Sequence, residues 1–76
     1  MSAIAYQYLS DNEKLEILGS HIRSLEYTVY NLEVSKLAAQ AVSTPDLIEI
    51  DNINNQITEV NAKIAALETE KATLTV

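Results

Sequence analysis

Ser43-Thr44-Pro45-Asp46 divides the chain into two runs of hydrophobic residues in 3-4 spacing. Before it come Leu15, Leu18, Ile22, Leu25, Val29 and Leu32, and the register continues through Lys36 and Ala39. After it come Ile50, Ile53, Ile57, Val60, Ile64, Leu67 and, beyond Lys71, Leu74. Spacing of this kind lines up each run on one face of an α-helix. Proline disfavours the α region for Thr44 and suits the first turn of a following helix, so the four residues read as a break between two helices. Folding the chain between Thr44 and Pro45 sets Leu32 against Ile57, Val29 against Val60, Leu25 against Ile64, Ile22 against Leu67 and Leu15 against Leu74. Each layer joins an a residue to a d residue, as antiparallel coiled-coil packing requires. The spacing therefore predicts an all-α fold, an antiparallel two-helix coiled-coil hairpin with an extended N-terminal arm. The arm takes residues 1–9 and the hairpin 10–76, with helix 1 over about 11–42, the turn at 43–46 and helix 2 over about 45–72.

The ends of these elements carry their own signals. Ser10 and Glu13 form a capping box, in which hydroxyl and carboxylate each satisfy a backbone N–H of the first turn. Asp11 adds negative charge where the helix dipole favours it. Ser43 or Thr44 is expected to cap helix 2, with Asp46, Glu49 and Asp51 near its positive end. Gly19 lies inside helix 1 beside the seam, at a cost of about 1 kcal/mol relative to Ala. It is either a tolerated surface position or a point of close approach by a neighbouring helix.

Composition narrows the function classes. Seventy-six residues make one small domain, and a single Gly and a single Pro suit long helices. Without cysteine, neither a disulfide framework nor a thiolate metal site is available, which agrees with a cytoplasmic location. No apolar stretch approaches the ~18 residues of a membrane span. The N-terminus lacks the basic and continuous apolar segments of a signal peptide. A net charge of −6 argues against nucleic acid or an anionic membrane as partner. A hairpin buries only one stripe per helix, so a protein partner, either further copies of itself or a larger assembly, is expected.

Helix 1 carries a second apolar stripe: Tyr27, Tyr30, Val34, Leu37 and Ala41. At 100° per residue it lies about 150° round the helix from the first. One partner helix cannot cover both faces, and a helix apolar on two sides is normally buried on two sides. All four aromatic residues are tyrosines, at 6, 8, 27 and 30, a residue type suited to surfaces that are part apolar and part wet. Ile4, Tyr6 and Tyr8 alternate with smaller residues, as in an extended segment. Eight such residues reach about 26 Å, far enough for Ile4 or Tyr6 to meet Tyr27. The arm either docks on its own hairpin or, the preferred reading, crosses to a neighbouring protein. The candidate interaction residues are thus Ile4, Tyr6, Tyr8, Tyr27, Tyr30, Val34, Leu37 and Ala41.

Recognisable chemistry is missing. His21 is the single histidine, and the hairpin register brings it near Glu70, where a solvated His–Glu pair is expected. Catalysis would need a nucleophile or second base beside it, and its helical neighbours offer only Ser24. Lys36 and Lys71 interrupt the stripes and cover the seam with their aliphatic stems. Asp51-Asn52-Ile53-Asn54-Asn55 is not a calcium loop, because Ile53 takes a ligand position and the turn glycine is absent. No catalytic, cofactor-binding or metal-binding residues are assigned, and a thin rod offers no enclosed pocket. The expectation is a protein that is not an enzyme.

Ala-Ile-Ala-Tyr-Gln-Tyr-Leu at 3–9, Arg23 with Leu25-Glu26-Tyr27 and Tyr30-Asn31-Leu32-Glu33, and the alanine-rich end of helix 1 resemble small uncharacterised helical proteins of tailed bacteriophages. The resemblance covers about residues 3–42 and implies a minor virion component or assembly accessory. The leading expectation is a structural or interaction module that joins a larger complex through the second stripe and the arm. The alternative is a small acidic regulator or chaperone-like cofactor that binds a partner protein reversibly.

Overall fold

The computed structural model describes residues 4–75; residues 1–3 of the expected arm, and Val76, lie outside the described residues. Two helices, α1 (Asp11–Gln40) and α2 (Leu47–Leu74), pack against each other as an antiparallel hairpin. Residues 4–9 form neither helix nor strand. The molecule is a rod of 54 × 18 × 17 Å with a radius of gyration of 16.5 Å, against about 11 Å for a compact domain of this length.

The seam follows the 3-4 runs. Leu18 and Ile22 of α1 and Ile50 and Ile53 of α2 are the buried aliphatic residues, and Leu15, Leu25, Val29, Leu32, Ile57, Val60, Ile64, Leu67 and Leu74 are half-buried. Even Ile22 keeps 5% of its surface exposed, and among the described residues no large side chain is fully enclosed. Two rods have one line of contact between them, so each seam residue is covered from one side and open at the edges. Lys36 and Lys71 are half-buried on the same line, consistent with stems that cover it and ammonium groups that reach water.

The capping box at the start of α1 forms as the sequence predicts. Ser10 N–H donates to Glu13 Oε1 at 3.0 Å, and Glu13 N–H donates to Ser10 Oγ at 3.2 Å. At the other end, α1 stops two residues short of the expected Val42. Ala41 closes it with a tightened bond, its N–H donating to Ala38 O at 3.2 Å, a common way to satisfy a late carbonyl. Neither Ser43 nor Thr44 caps α2. Asp46 does, its Oδ1 accepting from Ile48 N–H at 3.0 Å and Glu49 N–H at 3.3 Å. Pro45 consequently stands outside the helix rather than in its first turn, and α2 runs on past the expected Ala72 to Leu74.

Gly19 is helical and half-buried, and a Cβ built on it meets nothing within 4 Å. Within one molecule no neighbouring helix approaches it closely, which leaves the reading of a tolerated position. Among the described residues, no helix is long and apolar enough to cross a membrane.

Candidate functional site: an exposed face of the first helix

The residues of the second stripe stand in water. Tyr27 is 61% exposed, Tyr30 69%, Val34 46% and Leu37 69%, and Ala41 is exposed as well. Helical geometry keeps them there: α2 occupies the Leu18–Ile22–Leu25 side of α1, and a straight helix cannot turn both faces toward one partner. A single exposed leucine is unremarkable on a protein surface, whereas a run of large side chains in register is the feature that marks an interaction face.

Charged groups border this stripe. The Arg23 guanidinium carbon lies 4.9 Å from the centre of the Tyr27 ring, and Arg23 Nη1 is 3.8 Å from Glu26 Oε1. Both partners of the ion pair are mostly exposed, so the pair is weak and the cation–π contact holds the guanidinium over the ring. Glu26, Val29, Tyr30 and Glu33 of α1, with Asn61 and Ile64 of α2, line a groove of about 410 Å³ along the hairpin. Its apolar members come from the seam and from the stripe, and its two carboxylates stand seven residues apart on α1.

Three further exposed aliphatic residues, not assigned from the sequence, extend the apolar surface at the tip: Val42, Leu47 and Ile48. Val42 lies beyond the end of α1, and the phase set by Ile50 and Ile53 turns Leu47 and Ile48 of α2 away from the seam.

Tyr27 is within reach of an extended arm, but in this molecule Ile4 and Tyr6 do not lie along it. Ile4, Tyr6 and Leu9 turn instead to the open end of the hairpin, where with Leu18, Glu70 and Leu74 they line a cavity of about 170 Å³. Tyr6 and Tyr8 meet edge to face, ring centres 5.4 Å apart at 67°. Ile4, Tyr6 and Tyr8 all remain exposed on their outer sides. Leu9, absent from the sequence-derived set, is half-buried in this arrangement.

Glu70 is not the solvated partner expected for His21. It is 6% exposed at the open end of the hairpin, while His21 is exposed. The helical period alone places Glu70 beside the seam; the apolar arm residues that share its cavity have no register from which their position follows.

Among the described residues, no group of three or more His, Asp or Glu side chains comes together in a way that would hold a metal ion. Comparison of the chain with protein-family models, with curated proteins and with solved structures finds no match.

Proposed function

We propose that the protein is a non-enzymatic structural or interaction module that joins a larger complex through the outer stripe of α1 and the tyrosine-bearing arm. One observation carries this reading: Tyr27, Tyr30, Val34, Leu37 and Ala41 follow a second helical register, and all five are exposed. A surface helix has no physical need for a second apolar register, since polar residues there would solvate it at no cost to the seam. The accessible surface supports the same reading. At 5775 Å² it exceeds the roughly 4,600 Å² of a compact monomer of this mass. The excess of about 1,200 Å² follows from the elongated shape and leaves room for the ~800 Å² that each partner contributes to a specific interface. The resemblance to small bacteriophage proteins, were it to hold, would put such a module in a virion or its assembly.

Substitution of the stripe tests the proposal. Tyr30→Asp is expected to leave the far-ultraviolet circular dichroism of the hairpin unchanged and to abolish association, read by light scattering after size-exclusion chromatography or by loss of the protein from its native assembly. An unchanged assembly state in both measurements would remove the basis of the proposal.

A further inference from the structure

The occupant of the outer stripe can be specified more closely, on the premise that this stripe is a docking surface. Spacing alone admits a second copy of the chain. Laid antiparallel and centred on Val34, two α1 helices would set Tyr27 against Ala41, Tyr30 against Ala38 and Val34 against itself, large beside small. Charge opposes that arrangement. Glu33 would sit one residue from the crossing point, beside its own counterpart, and each copy brings a net charge of −6. Like charges placed together at an interface discriminate against the pairing.

The same charges favour a different partner. Glu26 and Glu33 line one groove with Tyr30, Val29 and Ile64, so the apolar floor carries two carboxylates on its border. Seven residues of helix separate those carboxylates by about 10.5 Å, the distance between residues i and i+7 of any helix laid alongside. Arg23 holds Glu26 only at 3.8 Å and in the open, and a partner's cation can replace it there. The stripe from Glu26 to Ala41 is about 22 Å long, enough for a partner helix of some 15 residues. Helices dock in grooves of this kind by apolar residues at i, i+3, i+4 and i+7. We infer that the groove beside the outer stripe of α1 receives a basic amphipathic helix of another protein, its apolar residues on Tyr30 and the stripe and two Lys or Arg residues on Glu26 and Glu33.

A titration with a fluorescein-labelled, 15-residue amphipathic peptide of leucine and lysine, at low and moderate salt, tests this. Four proteins are compared: the native chain, Glu26→Gln/Glu33→Gln, the charge-matched control Asp51→Asn/Glu59→Gln on α2, and Tyr27→Ser/Tyr30→Ser. Glutamine is as good a helix former as glutamate, and circular dichroism verifies that each variant is folded. The expected result is a roughly five- to tenfold loss of affinity for the first double variant, as two exposed charge pairs imply. The α2 control should stay within about twofold and the tyrosine variant should lose binding. Equal losses in the first variant and the control would mean diffuse attraction to an acidic rod and overturn the inference. So would a native chain that dimerises through the stripe in light scattering and ignores the peptide, although the stripe would then stand as a docking surface. If removal of the two tyrosines changed neither peptide binding nor association, the stripe itself would be idle, and the premise would fail with the inference.

Discussion

Ser10 and Glu13 satisfy each other at the start of α1, the backbone N–H of each donating to the side-chain oxygen of the other, at 3.0 and 3.2 Å. The bond from Ser10 N–H, and then the Ser10 side chain, hold the Glu13 carboxyl below the usual carboxylate range. The ionised form is therefore the one the fold prefers. Its contribution is present above the unfolded-state pKa and disappears as pH falls through the lowered folded value. Glu13→Gln keeps a side-chain acceptor for Ser10 N–H but cannot titrate. Melting temperature followed through the acid range should fall less steeply for this variant than for the native chain. Ser10→Ala should cost about 1 kcal/mol at neutral pH, measured by urea unfolding.

At the second helix start, Asp46 and not Ser43 or Thr44 takes the two free N–H groups of Ile48 and Glu49. Asp46→Ala is expected to lose about 1 kcal/mol, whereas Ser43→Ala should change stability by no more than a few tenths. Urea melts of the two variants side by side give the answer. A larger loss in Ser43→Ala would return the cap to the position the sequence favours.

Gly19 has space for a side chain and no unusual backbone angle. Gly19→Ala should stabilise the hairpin by up to about 1 kcal/mol through helix propensity and a less flexible unfolded chain. Loss of stability on thermal melting would instead mean that another molecule packs against the bare backbone at this point.

The seam is thin, and its residues should respond accordingly. Ile22→Ala is expected to cost about 2–3 kcal/mol, toward the low end for buried aliphatic truncations because the site opens to solvent and leaves little enclosed void. Leu25→Asp, which puts a charge on the contact line, should abolish helicity in circular dichroism, in contrast to the outward-facing Tyr30→Asp. Equal unfolding in both aspartate variants would erase the distinction between an inner and an outer face of α1.

What the sequence made legible is what periodicity controls. The 3-4 runs on either side of Pro45 specify the two helices, their antiparallel pairing and the buried set from Leu18 to Ile53, and the second 3-4 run from Tyr27 to Ala41 specifies the outward stripe. Features set by local competition were harder to read. Ser43, Thr44 and Asp46 are all good caps, and the aspartate takes the role here, which moves the start of α2 by two residues and leaves Pro45 outside it. The least legible part was the open end. Nothing in the spacing of Ile4, Tyr6 and Leu9 says where an irregular segment goes, and the enclosure of Glu70 depends on neighbours outside either helical register.

The segment from Ala41 to Asp46 would act as a lever if the hairpin opened. Leu9 and Leu74 share one cavity because α1 and α2 return to the same end of the rod. Were that joint to straighten, two helices of 30 and 28 residues would carry those ends apart to nearly 90 Å. A change of backbone angles at the tip would thereby be converted into a displacement many times larger at the root. Dyes attached near residues 9 and 74 would read it directly, bright with transfer while the rods are shut and dark once they swing open.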